Sequence, residues 1–136
     1  MKSLVALFLE NNNTQGTIPP ALGNLSRTLL QLELDHNLLT GTIPADLGNL
    51  VNLETLHLDD NHLRGSIPDS ISNLTNVVSL KMHSNNLTGL IPAKVESLIC
   101  LLENETAKQC SLFSNEFSPV DCAAAPCAVN FCGMCQ

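Results

Sequence analysis

Tryptophan and tyrosine are absent from this chain, and only four phenylalanines are present. A core without large rings must be filled by Leu, Ile and Val. Such side chains suit many thin, similar layers better than one central cluster, so internal repeats are the first thing to seek. Basic residues are scarce: six Lys and Arg stand against thirteen Asp and Glu, for a net charge of −7. With no Lys/Arg cluster to neutralise phosphates, the electrostatic footprint of a nucleic-acid binder is missing. Long apolar runs are missing too. Stretches such as LICLL at Leu98–Leu102 fall far short of the roughly 18 residues a membrane helix requires. There is no GxSxG, no glycine-rich phosphate loop and no His-Glu metalloprotease motif. No carboxylate is placed where a dry pocket would raise its pKa. Catalysis therefore finds no support, and no cofactor is expected. The 136 residues are one-domain size and long enough to bury a core.

Cysteine is absent from the body of the chain and crowded into its end, at Cys100, Cys110, Cys122, Cys127, Cys132 and Cys135. An even number in a short tail is the signature of a disulfide cluster, and hence of an oxidising compartment. Six cysteines allow 15 pairings, among which sequence does not choose. Zinc on Cys122, Cys127, Cys132 and Cys135 is the sharper alternative. A zinc knuckle wants tighter pairs and commonly a histidine, whereas all four histidines lie in the body. Redox chemistry at Cys132–Cys135 lacks a βαβ context. Structural disulfides are the expectation, each contributing about 2–4 kcal/mol by restricting the unfolded tail.

The repeat is found by aligning four glycines, Gly16, Gly41, Gly65 and Gly89. They sit in the phrases NTQGTIP, LLTGTIP, HLRGSIP and NLTGLIP. Four residues before each comes an asparagine: Asn12, Asn37, Asn61 and Asn85. Apolar residues precede these in an L-x-x-L-x-L frame: Leu4, Leu7, Leu9; Leu29, Leu32, Leu34; Leu53, Leu56, Leu58; and Val77, Leu80, Met82. L-x-L alternation predicts a short strand with one face inward, each coil laying its strand beside the last at about 4.8 Å. The asparagines should turn inward at the strand ends and form a ladder of buried amides, each worth roughly 1–3 kcal/mol. Gly then frees φ, and Pro fixes an extended return. ALGNL, DLGNL and SISNL bring a second apolar pair back under the far side. The first repeat's extra residue falls between Leu25 and Leu29 in that return, where an insertion costs least.

The frame LxxLxLxxNxLxGxIPxxLGxL resembles the plant-type leucine-rich repeat of receptor-kinase ectodomains and polygalacturonase-inhibitor-like proteins, over about Leu4 to Leu98. The tail, with its closing CAAAPCAVNFCGMC, is similar more loosely to the Cys-rich caps of microalgal proteins built on the same frame. The resemblance implies an α/β-type repeat solenoid. Its right-handed coil would carry short parallel strands on a concave face, short 3-10 or helical turns on the convex side, and an irregular Cys-rich cap. Residues 1–92 are four repeats, and 93–136 are a degenerate fifth repeat with the cap. The fifth begins in register with IPAKVESLICL. It is then expected to fail, because Asn104, Thr106 and Gln109 fall where strand leucines and the ladder asparagine belong, and polar residues there end a solenoid.

The register also names the outward residues. Ala6, Gln31, Thr55 and Ser79 form one column, and Phe8, Glu33, His57 and Lys81 the next. Beyond the second leucine come Glu10, Asp35, Asp59 and His83, then Asn11, His36, Asp60 and Ser84. The candidate binding face is thus Phe8, Glu10, Glu33, Asp35, His36, His57, Asp59, Asp60, Lys81 and His83, mostly acidic and with three of the four histidines. Rigid faces with varied outward residues are what these repeats use for binding. A blander reading is that these acids keep the surface soluble. Neighbouring coils bring Glu33, Asp35, His57 and Asp59 close, but their spacing demands no ion, and no metal is expected. The implied role is a receptor-like or secreted recognition module for protein, peptide or glycan. Inhibition of a polysaccharide hydrolase is the alternative, and an ice-binding surface is disfavoured because the columns do not repeat Thr or Ser. Among the sequons, Asn24 and Asn73 in the return are the candidate glycosylation sites, whereas Asn12 should be buried in the ladder.

The opening stretch, MKSLVALFLENNN, is a poor secretory signal, since its six-residue apolar run lacks a following small-residue cleavage site. It fits the repeat frame completely. A strand there has an open edge, so the chain is expected to be the end of a longer solenoid, extracellular or at the cell surface, with any tether upstream of Met1.

Overall fold

The computed structural model describes residues 4–95 and 115–117. Four strands, β1 (Ala6–Phe8), β3 (Gln31–Glu33), β5 (Thr55–His57) and β7 (Ser79–Lys81), form a parallel sheet in that order. They pair without offset: Leu7, Leu32, Leu56 and Leu80 stand side by side. A second set of short strands follows the turn in each coil. β2 (Gln15–Thr17) pairs with β4 (Leu38–Thr40), and β6 (Arg64–Gly65) pairs with β8 (Asn86–Gly89). These run parallel with a two-residue stagger, so that Arg64, three residues past its asparagine, meets Asn86, one past its own. Each return is a 3-10 turn: η1 (Pro20–Leu25), η2 (Ala45–Asn49) and η3 (Asp69–Asn73). The alternation of strand and short turn confirms the expected leucine-rich-repeat solenoid, with its core enclosed between sheet and turns.

That core is nearly all aliphatic. Leu29, Leu32, Leu53, Leu56, Leu58, Leu47, Leu50, Ile71 and Leu74 are fully buried. Each contributes about 1.5–3 kcal/mol by leaving water. The repeat's L-x-L spacing places two leucines of each strand inward, and the pair in the return closes the layer from behind.

The asparagine ladder runs through this apolar layer. Asn61 is 4% exposed. Its Oδ1 accepts the Leu39 N–H of the preceding coil, and its Nδ2 donates to Leu34 O of that coil and to Leu58 O and Asp59 O of its own. Asn37 and Asn85 repeat the pattern, accepting from Thr14 and Leu63. Just before each asparagine the backbone enters the left-handed region, with φ of 55° at Asn11, 52° at His36, 50° at Asp60 and 52° at Ser84. Asn, Asp and His tolerate that region better than other non-glycine residues, and this kink is what turns the following amide inward.

Two expectations are corrected at the ends. Asn12 is not buried: it is exposed and bonds to Leu9 O and Glu10 O of its own coil, and no coil among the described residues lies on its other side. Leu9, at 39% exposure, shares that open end. At the other end the ladder does not stop at Asn85. Asn115 Oδ1 accepts the Leu87 N–H, and its Nδ2 donates to Met82 O. β9 (Glu116–Phe117) then pairs with β8 in the same two-residue stagger. Asn115, not the position of Gln109, is the fifth rung. Asn104, Thr106, Gln109 and all six cysteines lie outside the described residues, as does most of the expected cap.

Close contact between successive returns depends on glycine. A Cβ on Gly48 would collide with the Ser70 carbonyl, and one on Gly23 with that of Asp46. Gly48→Ala is accordingly expected to cost about 1–3 kcal/mol through overpacking, although alanine lowers the entropy of the unfolded chain. Asn61→Ala should cost about 2–3 kcal/mol, since it strands buried backbone groups in two coils, whereas Asn12→Ala should cost under about 0.5 kcal/mol. Urea-unfolding midpoints of the three variants check both statements, and equal losses for the two asparagines would contradict the ladder.

Candidate functional site

The outward face of β1, β3, β5 and β7 carries the sequence-predicted columns at positions set by the zero-offset register. Glu33, His57 and Lys81 stand in one row, and Asp35, Asp59 and His83 in the next. Phe8 sits at the open end and is 51% exposed, with Val5 equally exposed nearby. Counted over the ten predicted residues, five carboxylates face one ammonium group and three imidazoles.

The histidines tie the rows together. His36 lies in a left-handed turn, which holds its ring between two carboxylates: Nδ1 is 2.9 Å from Asp35 Oδ2, and Nε2 is 3.4 Å from Asp60 Oδ2 of the next coil. The hydrogen bond with Asp35 raises the His36 pKa above its ordinary value. The charges of Asp60, Asp35 and Asp59 add to that, while slight burial opposes it. His57 behaves oppositely. Burial between neighbouring strands lowers its pKa, Lys81 lowers it further, and Glu33, at 3.9 Å, Asp59 and Asp35 only partly offset this. Its Nε2 lies 2.7 Å from Ser79 Oγ. His83 Nε2 is 3.3 Å from Asp59 Oδ2, and its Nδ1 is 3.3 Å from Ser84 Oγ.

Not every predicted residue stands open. Asp59 is 4% exposed, and Thr55, outward by register, is also buried. Neighbouring side chains close over both. The grouping of Glu33, Asp35, His57 and Asp59 is only partly met. Ligand atoms of Glu33, Asp35 and His57 approach within 4.8 Å of one another, whereas Asp59 belongs to two other triads, with Asp35 and His36, and with Asp60 and His83. The glycosylation candidates Asn24 and Asn73 are exposed on the returns. Asn86, which begins β8, is exposed as well.

Sequence reasoning missed Asn115 as a rung. Its signal was nonetheless present in the letters. Phe117 follows it by two, Leu112 precedes it by three and Cys110 by five, matching Leu87, Met82 and Leu80 around Asn85. The spacing of 30 residues from Asn85, against 24 from Asn61 to Asn85, hid it.

Comparisons with known proteins fit this geometry. The family model described as Leucine Rich Repeat matches residues 3–25, 28–50 and 52–74. None of the curated proteins matches the sequence. Among solved structures, a chain of the BIR3–SERK2 complex from Arabidopsis thaliana superposes with a TM-score of 0.70 at 33% identity, over 84% of this chain and 57% of that one. The PEPR1–AtPEP1 structure gives 0.71 at 36% identity, over 85% of this chain and 15% of that one. The ectodomain of the plant membrane receptor kinase GASSHO1/SCHENGEN3 from Arabidopsis thaliana, in complex with CASPARIAN STRIP INTEGRITY FACTOR 2, gives 0.68 at 29% identity, over 85% and 15%. The chain thus spans little more than half of one of these proteins and about a seventh of the others.

The two histidines should separate on titration. His36 should titrate above the ordinary imidazole value of about 6.5, and His57 below it. Stability from His36 is present below about pH 6.5 and fades as pH rises through its raised pKa, an effect kept small by solvent screening. Stability from neutral His57 is present above about pH 6.5 and is lost as pH falls through its lowered pKa. Imidazole NMR titration reads both midpoints, and a reversed order would contradict the pairings.

Proposed function

The chain belongs to the leucine-rich-repeat family, and from that premise we propose that it is a non-catalytic recognition module whose outward strand face binds a protein, peptide or glycan ligand. The observation that carries this reading is the face itself: side chains at fixed coil-to-coil spacing on a backbone locked by strand pairing and the buried ladder. Preorganised side chains bind without paying the ordering entropy that loops pay. Two of the similar plant structures are complexes, one of the receptor kinase GASSHO1/SCHENGEN3 with CASPARIAN STRIP INTEGRITY FACTOR 2 and one of BIR3 with SERK2, which supports a protein or peptide partner here. The same relatives support placement outside the cell or at its surface. No helix among the described residues is long and apolar enough to cross a membrane.

The charge of the face specifies the partner's chemistry. Glu10, Glu33, Asp35, Asp59 and Asp60 outweigh Lys81, so the ligand should present Lys, Arg or other hydrogen-bond donors. Exposed Phe8 and Val5 offer an apolar anchor at one end. Selection of displayed peptides against the purified chain tests this. Enriched peptides should be basic and bind less tightly at high salt. They should lose at least tenfold in affinity for the Glu33→Lys/Asp60→Lys variant, but not for Asp46→Lys on a return turn. Peptides indifferent to the face reversal would overturn the reading.

A further inference from the structure

Asp59 is the one buried charged residue among the described residues, at 4% exposure. Its Oδ1 has no hydrogen-bond partner among them. A buried carboxylate oxygen without a hydrogen-bond partner is costly, and the fold makes no use of it: the ladder takes only the Asp59 backbone carbonyl. Every amide of the interior rungs Asn37, Asn61 and Asn85, by contrast, is bonded at both ends. Around the same carboxylate, whose other oxygen, Oδ2, already faces His83, stand groups that a shared cation would bind. The Asp59 carboxylate lies with ligand atoms of Asp60 and His83 within 4.8 Å of one another. His83 turns its Nε2 to Asp59 at 3.3 Å, while its Nδ1 lies 3.3 Å from Ser84 Oγ, as a ligating imidazole is typically oriented by a group behind it. The three residues come from two successive coils, so the arrangement exists only once those coils stack. Asp35, at the edge of the same cluster, repeats the pattern with a second buried Oδ1 lacking a partner.

We propose that Asp59, Asp60 and His83 hold a divalent cation of the zinc class on the strand face. Two carboxylates and one imidazole suit such an ion, whereas Ca2+ and Mg2+ want six or more oxygen donors. The Asp59 oxygen left without a hydrogen-bond partner, Oδ1, is the atom with most to gain. This site does not rest on the partner proposed above, because the metal alone is the probe.

The test is calorimetric titration of the EDTA-stripped chain with ZnCl2, with thermal unfolding and Co2+ absorption alongside. One saturable site is expected. Asp59→Asn and His83→Gln should each weaken it at least tenfold, and Asp69→Asn on the far side should leave it unchanged. Without metal, Asp59→Asn should melt at or above the parent temperature, since the buried charge is gone, which separates lost ligation from lost folding. Bound Co2+ should show d–d bands without thiolate charge transfer. The proposal is overturned by no saturable binding, by binding that survives both variants (which assigns it to the tail cysteines), by a thiolate band, or by Ca2+ competing as tightly as zinc.

Discussion

The structure depends on a buried amide that must be bonded on two sides. An asparagine side chain in an aliphatic layer is tolerable only when its oxygen and both hydrogens find partners. Here those partners belong to two different coils, Leu39 and Leu34 on one side of Asn61 and Leu58 and Asp59 on the other. The requirement sets the stacking distance and the register of every neighbouring strand. Leucine burial drives the coils together, but it is non-directional and would accept a slipped register. The asparagine accepts only one.

Much else follows from that register. Strands held without offset bring outward side chains of successive coils into rows, so like charges meet like charges unless something intervenes. Asp35 and Asp60 are reconciled by the ring of His36 between them. His57, packed against Lys81 and Ser79, is pushed toward its neutral form. One rigid geometry thus gives two histidines of the same face opposite proton affinities. Asp59 is drawn under its neighbours until one of its carboxylate oxygens is buried without a hydrogen-bond partner.

How much of this was legible in the letters varies with the range of the interaction. The inward leucines and the three interior rungs were readable because the period is short and local. The left-handed column was within reach, since Asn11, His36 and Asp60 are residue types that such a turn accepts, but nothing in the spacing announced the turn. The fate of Asn12 was not legible from its own repeat, which looks like the others; its exposure depends on what lies beside it. Asn115 was missed for the converse reason. Thirty residues rather than 24 separate it from Asn85, and extra chain length changes closure entropy too little to forbid a late return to the frame.

By itself the sequence determined the coil: where each strand runs, which leucines face in, which amides form the interior rungs and the column to which each outward position belongs. Those follow from alternation and period, properties of one short segment read against its own copies. Only the tertiary structure decided which carboxylates pair with which imidazoles, that Asp59 is buried rather than open, that Gly23 and Gly48 serve close packing between returns, and that the ladder closes on Asn115. Apart from the pairing of His36 with its neighbour Asp35, each of these is a relation between coils, set by distances of a few ångströms between segments more than twenty residues apart, and no single repeat contains it.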